Sequence, residues 1–321
     1  MRVMIIGAAG MLGAKLSAQI AAGAVPGTTE LVLVDRAAPA PVAGVSCTSH
    51  AADLGAPGTA EALAGLKPDL VFHLAAVVSG QAEAEFDTGY AVNLDASRAL
   101  FEALRAGGTQ PRVIFASSLA VYGPPFPDVV PEEFGLRPAS SYGTQKAMTE
   151  LLLADYSRKG FLRGTSLRLP TVSIRPGLPN AAASGFLSGI LREPLAGQAA
   201  NCPVPDDTKV WIASPDVTVA GLAHAAALPW AQIAPHPVLN LRGICVSVGE
   251  MLAALESEAG PAARALVSHD PDPTIARIVQ SWPEAFVTDT AEALGFPVND
   301  GFVSILREYQ AAYAPAREAK G

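Results

Sequence analysis

The sequence predicts an α/β protein, a doubly wound parallel sheet with a smaller C-terminal lobe. Three observations carry that expectation. A short apolar run at residues 3–6 leads into Gly7, Gly10 and Gly13 and then into helical spacing over residues 11–20. Strand-like and helix-like segments go on alternating as far as residue 169. After Pro170 the alternation loosens, and proline and glycine crowd residues 170–207.

Composition sets the outer bounds. At 321 residues, half of them apolar, the chain can bury one large α/β domain with a lobe. A formal charge of -8 without any Lys/Arg run argues against nucleic acid as a partner. Cys47, Cys202 and Cys245 are odd in number and far apart, which suits neither a disulfide framework nor a metal site and points to a reducing, cytoplasmic setting. The run at residues 3–12 resembles a short signal peptide until its glycines are counted. The next most apolar stretch, residues 217–234, is interrupted by Thr218, His224, Pro229 and Gln232, so no membrane association is expected.

The elements follow in order. Residues 3–6 read as a buried strand, and glycines after it permit a tight turn that brings backbone N–H groups to a pyrophosphate at the N-terminus of the following helix. The spacing is Gly-x-x-Gly-x-x-Gly. A second strand, residues 31–34, ends in Asp35, 22 positions after Gly13. An acid about 20 residues on is suited to the adenosine ribose hydroxyls and repels a 2′-phosphate, which favours NAD, although Arg36 beside it is able to recruit that phosphate. Asp53 and Leu54 precede a helix at 59–66, where Asp53 either meets the adenine amino group or caps the helix. The strand at 70–74 contains His73, read as a core histidine, and ends in small residues that leave room for a cofactor, with Ser79 beyond as a substrate contact.

Residues 83–104 read as one long amphipathic helix, its stripe formed by Phe86, Tyr90, Leu94, Phe101 and Leu104, with Asn93 off the stripe. Residues 112–116 form a strand closing on Ser117 and Ser118, and a proline-rich loop at 124–138 leads into a helix that carries Tyr142 and Lys146. Four apart on a helix, these two project from one face, and an ammonium near a phenol favours the phenolate, a usable base. A solvated surface pair is the ordinary alternative. Residues 164–169 supply a further strand, 238–241 a return strand, and 248–259 and 302–313 helices. The expected organisation is a dinucleotide-binding part at 1–170 with a return strand near 236–243, interleaved with a substrate lobe at 171–321.

The ordered set Gly7-x-x-Gly10-x-x-Gly13, Asp35, Leu74-Ala75-Ala76, Ser117-Ser118-x-x-Val121-Tyr122-Gly123 and Tyr142-x-x-x-Lys146 resembles the extended short-chain dehydrogenase/reductase family, the group of nucleotide-sugar epimerases and dehydratases. The resemblance implies a Rossmann domain that binds NAD, with Tyr142 as base, Lys146 lowering its pKa and Ser118 holding the substrate oxygen. Cofactor contacts implied are Gly7, Gly10, Met11, Leu12, Gly13, Asp35, Asp53, Leu54, Leu74, Ala75, Ala76, Asn93, Ser117, Tyr142, Lys146 and Pro170. It also implies a homodimer formed through the helices after Glu83 and Ser140.

Dehydratase members carry an Asp-Glu pair just after the catalytic hydroxyl residue, and here those places hold Leu119 and Ala120. The segments 77–80, 174–186 and 209–211 resemble a subgroup that oxidises a four-carbon sugar acid at its 2-hydroxyl with NAD. The implied reaction converts D-erythronate to 2-dehydro-D-erythronate, and the alternative is an NDP-sugar 4-epimerase. A carboxylate substrate needs a cation, for which Arg175 and Arg192 are both candidates. Asn180 and Trp211 join Ser79, Ser118 and Tyr142 as expected substrate contacts. A catalytically silent NAD-binding regulator is a third reading, opposed by the presence of both Tyr142 and Lys146.

Overall fold

The computed structural model describes residues 1–177 and 184–313. The first half of the chain runs β1 (Arg2–Ile6), α1 (Met11–Ala21), β2 (Glu30–Asp35), β3 (Ser46–Ala51), α2 (Thr59–Gly65), β4 (Leu70–His73), α3 (Ser79–Ala84), α4 (Phe86–Tyr90), a π-helical turn (Ala91–Asp95), α5 (Ala96–Ala106), β5 (Arg112–Ser118), α6 (Ser141–Arg158) and β6 (Arg163–Leu169). The second half adds β7 (Thr171–Val172), α7 (Gly185–Leu195), β8 (Ala200–Cys202), β9 (Lys209–Ala213), α8 (Pro215–Ala227), α9 (Trp230–Ile233), β10 (Val238–Asn240), β11 (Ile244–Ser247), α10 (Val248–Ala259), α11 (Pro261–Arg264), β12 (Val267–His269), α12 (Pro273–Gln280), α13 (Asp289–Ala293) and α14 (Phe302–Tyr313).

Seven parallel strands form the central sheet in the order β10-β6-β5-β4-β1-β2-β3. The chain moves outward from β1 to β3 and then restarts at β4 on the other side of β1. That reversal leaves a crevice at the C-terminal ends of β1 and β4, where open α/β sheets bind ligands. Both faces of the sheet are covered, so β1 is apolar from Val3 to Ile6. Val3 and Ile5 pack on α1 and α8 through Leu16, Ile20, Val219 and Leu222, whereas Met4 and Ile6 share a core with Leu100, Phe101 and Leu153 of α5 and α6.

A three-stranded sheet (β11-β9-β7) and a two-stranded one (β12-β8) belong to the lobe, whose core joins Leu187, Ile190, Ile212, Met251, Leu255 and Ile305. The two halves interleave. Residues Val219 and Leu222 of α8, Leu239 of β10 and Phe296 return from the second half of the chain to the core of the central sheet.

Two features of the first half depart from the sequence reading. The strand β3 was not foreseen, because its mostly polar residues lie at the exposed sheet edge and supply no apolar run. The long helix expected over 83–104 is instead broken at Glu85, whose φ of -119° and ψ of 72° leave the helical region, and it widens into the π turn at 91–95. Phe86, placed on the buried stripe by its spacing, consequently points outward at 56% exposure, while Phe101 and Leu104 are buried as expected. No helix among the described residues is long and apolar enough to cross a membrane.

Candidate active site

The crevice widens under the lobe into a cleft of 1240 Å³. Met11, Leu12, Ser117, Leu169 and Pro170 line its floor, and Ser79, Ser118, Tyr142, Arg175, Arg192 and Trp211 line the part nearer the lobe. A separate, shallower hollow of 620 Å³ bounded by Cys245, Glu250 and Phe302 holds none of the predicted site residues.

The glycine turn is built by close approach. Gly7 has φ +94°, and a Cβ there would come within 2.7 Å of Ala75 N; a Cβ on Gly13 would lie 2.1 Å from the Gly7 carbonyl oxygen. Gly10 is the N-cap of α1, so the unpaired N–H groups of its first turn, with Met11 and Leu12, face the crevice. The N–H groups of Leu74 and Ala75 both donate to Ile6 C=O, at 2.9 and 3.0 Å, which draws the small residues after β4 against the turn. Asp35 closes the far side. Its carboxylate accepts from Ala9 N–H at 2.9 Å and from Arg36 N–H at 2.7 Å, fixing it at the end of β2 beside the turn. A cradle that no side chain fills, a helix N-terminus and a fixed carboxylate together fit a dinucleotide.

Asp53 caps no helix. It accepts from Gly55 N–H at 2.9 Å in a local turn, with Leu54 buried behind it, and α2 begins later, after Gly58. Asn93 is 2% exposed and sits in the π turn. Its amide accepts from Val77 N–H (2.8 Å) and donates to Val77 C=O (3.1 Å) and Gln145 (2.7 Å), so it clamps the loop that delivers Ser79 rather than opening onto the cleft. Ser117 lies on the cleft floor, but its hydroxyl donates to Glu150 in the core.

The reactive groups meet where β5 ends and α6 begins. Ser118 is the N-cap of a 3-10 turn (Leu119–Val121), its Oγ accepting from Ala120 N–H at 3.1 Å. Ser140 caps α6 by accepting from Gly143 N–H at 3.1 Å. Gly143 is needed there because a Cβ would lie 2.0 Å from the Ala120 carbonyl oxygen. That contact presses the start of α6 onto the 3-10 turn and brings the Tyr142 phenol beside the Ser118 hydroxyl.

Lys146 lies one turn on, buried, with Nζ donating to Ala116 C=O at 2.7 Å, 4.6 Å from the centre of the Phe115 ring and 5.6 Å from that of Tyr142. Burial pushes its ammonium down to about 7, opposed by Glu150. Burial also pushes the Tyr142 phenol up to about 12, against the lowering effect of the neighbouring Ser118 hydroxyl and the charge of Arg175. Without ligands burial thus outweighs the charge of Arg175, a cation near the phenol that the spacing of the sequence did not point to.

Arg175 and Arg192 differ in their surroundings. Arg192 pairs with Glu193 and donates to Arg175 C=O at 2.9 Å. The Arg175 guanidinium donates to Ser184 Oγ at 2.8 Å and has no carboxylate partner among the described residues. Trp211 stands on β9 with its ring 5.7 Å from Phe286, which in turn packs on Tyr122. Asn180 lies outside the described residues.

Sequence reasoning missed Glu193, Phe286 and Trp282, all of which line the cleft. Phe286 is anchored because the proline-rich loop pairs with the lobe there: Val130 N–H donates to Ala285 C=O and Val287 N–H to Val130 C=O, each at 2.9 Å. Aromatic residues in an aperiodic tail are the sole signal the sequence offers for it.

Comparison with known proteins agrees with this geometry. The chain is 46% identical over 316 residues to a D-erythronate dehydrogenase from Cupriavidus necator, covering 96% of this chain and 98% of the relative. It is 40% identical over 310 residues to a D-erythronate dehydrogenase from Haemophilus influenzae, again covering 96% and 98%. A crystal structure described as a nucleoside-diphosphate-sugar epimerase from Agrobacterium tumefaciens superimposes with a TM-score of 0.93 at 46% identity, covering 97% of this chain and 94% of that one. The model of the NAD dependent epimerase/dehydratase family matches residues 3–226, and the chain belongs to that family.

Proposed function

We propose that this protein oxidises D-erythronate to 2-dehydro-D-erythronate with NAD. The observation that carries the proposal is the near full-length similarity to two D-erythronate dehydrogenases, joined to a cleft that sets Tyr142 and Ser118 beside a cation without a carboxylate partner among the described residues. Bound NAD supplies the hydride acceptor and adds the positive charge of its oxidised ring.

The protein's own groups do the rest. The Ser118 hydroxyl holds the 2-hydroxyl of the sugar acid against Tyr142 and stabilises charge that develops on that oxygen. Tyr142 takes the hydroxyl proton as the C–H bond at the same carbon gives up its hydride. Lys146, at the back of the tyrosine, holds the nicotinamide ribose and keeps the phenol in line. Gly7, Gly10, Met11, Leu12 and Gly13 hold the pyrophosphate, and Asp35 the adenosine ribose. Asp53, Leu54, Leu74, Ala75, Ala76 and Pro170 wall the cofactor. Ser79, Trp211 and Asn180 complete the substrate contacts, with the carboxylate on an arginine of the lobe.

The name borne by the Agrobacterium structure favours a second reading, an NDP-sugar epimerase, which uses the same Ser118 and Tyr142 but returns the hydride to its substrate. A panel of four- to six-carbon sugar acids and UDP-sugars, followed for NADH absorbance and for epimer formation, separates the two. Net NADH from D-erythronate is expected; epimerisation of a UDP-sugar with no sugar acid oxidised would replace the first reading by the second.

We also place the protein in the cytoplasm, where its three free cysteines suit a reducing medium. A homodimer is proposed through α4 and α6, on which Phe86 and Leu151 are exposed.

A further inference from the structure

The geometry points to Arg175 as the group that recognises the substrate carboxylate and thereby directs oxidation to the carbon next to it, with one face of α7 built to hold that arginine and Arg192 serving as a positioning residue. The inference rests on the sugar-acid reading above and divides the work between two arginines that the sequence left equivalent.

The argument begins with spacing. Ser184, Ser188 and Arg192 are four apart, so they stack along one face of the helix. All three bind Arg175 and do so at different points. Ser188 Oγ accepts from the Arg175 backbone N–H at 3.0 Å, Arg192 donates to the Arg175 carbonyl at 2.9 Å, and Ser184 Oγ accepts from the guanidinium at 2.8 Å. The backbone of Arg175 is therefore fixed on both sides and its side chain at one nitrogen. Among the described residues the other guanidinium donors have no partner, and a planar fork suits a carboxylate.

Charge separates the two residues further. Glu193 neutralises Arg192 within the lobe. Arg175 is half-buried on the cleft wall, and among the described residues no carboxylate pairs with it. A half-buried cation without a counter-ion is costly, and an anionic substrate relieves that cost. The Arg175 charge also reaches the Tyr142 phenol, and the phenol in turn favours the charged guanidinium. One cation close to both the base and the carboxylate suits a substrate whose hydroxyl and carboxylate sit on adjacent carbons. A 2-hydroxy acid meets that condition.

The test compares D-erythronate with its neutral carboxamide in the full-length enzyme, reading kcat/KM for each with saturating NAD. Arg175→Gln is expected to lower kcat/KM for the acid by about 100-fold or more and to bring the acid-to-amide ratio close to one, because the amide loses far less. Arg192→Lys and Ser188→Ala are expected to raise KM for the acid several-fold while most of the preference for acid over amide is kept. NADH binding by each variant, followed by fluorescence, reports that it has folded, and Arg175→Lys supplies an intermediate ratio should Arg175→Gln fail to fold. An undiminished acid-to-amide ratio in Arg175→Gln, or in Arg175→Lys where that variant is used, overturns the assignment, as does a larger loss of ratio in Arg192→Lys. A wild-type enzyme that oxidises neither compound removes the sugar-acid reading and this inference together, whereas a wild-type preference for acid that survives loss of Arg175 removes this inference alone.

Discussion

Glu150 and Arg168 form a bidentate ion pair directly behind the cleft, with Arg168 Nη2 to Oε2 at 2.7 Å and Nε to Oε1 at 3.0 Å and both side chains buried. The same carboxylate accepts from Ser117, and Arg168 donates to the Tyr122 hydroxyl, which donates to Asn240 at 2.9 Å. The network therefore joins β5, α6, β6 and β10 beneath the reactive residues. Removing one member leaves the other charge buried and unpaired. Glu150→Gln is expected to destabilise the protein by roughly 3 to 5 kcal/mol, read as the shift in urea unfolding midpoint. A cost below about 1 kcal/mol would mean that Arg168 finds water or another partner.

His73 sets the acid limit of the fold. It is fully buried in β4, and the Ser97 hydroxyl 2.8 Å from its Nε2 itself donates to Asn93 C=O. Ser97 therefore accepts from Nε2–H, and Nδ1 is left as a buried lone pair without a partner. A second proton would have no acceptor and would lie near Lys146, so the imidazolium is pushed down from 6.5 to about 3, first by burial and then by that charge. Between these values the unfolded chain binds a proton that the folded one does not, so stability falls as pH drops from about 6.5 toward 3. The loss is on the order of 4 to 5 kcal/mol when complete. His73→Gln is expected to flatten this part of the stability curve, and an unchanged slope in that variant would assign acid unfolding to other groups.

The proposed base is tested at Tyr142. Tyr142→Phe keeps the ring and removes the hydroxyl that meets Ser118. Turnover is expected to fall by a few orders of magnitude with NAD binding retained, measured by steady-state kinetics beside cofactor titration. Near-normal turnover removes Tyr142 from the chemistry. Because the free phenol is raised to about 12, the wild-type rate is expected to climb with pH across neutrality until the assembled charges of the complex have ionised it.

The parts legible in the sequence were those governed by local rules. Gly7, Gly13 and Asp35 announce themselves by spacing, and Tyr142 and Lys146 by helical periodicity. The strand β3 was silent because an edge strand of Ser, Thr and His carries no hydrophobic alternation. The π turn was silent because one extra residue per turn shifts a helical stripe without altering composition, and that shift carries Asn93 inward and Phe86 outward. That Arg175 also acts on the Tyr142 phenol follows from the folding of a distant segment over α6, which helical spacing does not announce. The difference between Arg175 and Arg192 depends on Glu193 and on the face of α7, which only the folded lobe reveals.

The proposed dimer is tested on the outer face of α6. Leu151 is 62% exposed there while Leu153 on the same helix is buried. On the neighbouring α4, Phe86 is 56% exposed and stacks on Tyr90 with ring centres 4.5 Å apart. Large apolar side chains exposed on neighbouring helices are of the kind that a second copy of the chain covers. A charge at its centre would have to be desolvated on association without a partner, and in a two-fold contact the cost is incurred in both copies. Leu151→Glu is therefore expected to shift sedimentation from a dimer to a monomer at micromolar concentration, with little change in unfolding of the separated chain because the residue faces solvent there. A wild-type chain that sediments as a monomer, or a variant that remains dimeric, would reject this face as the interface.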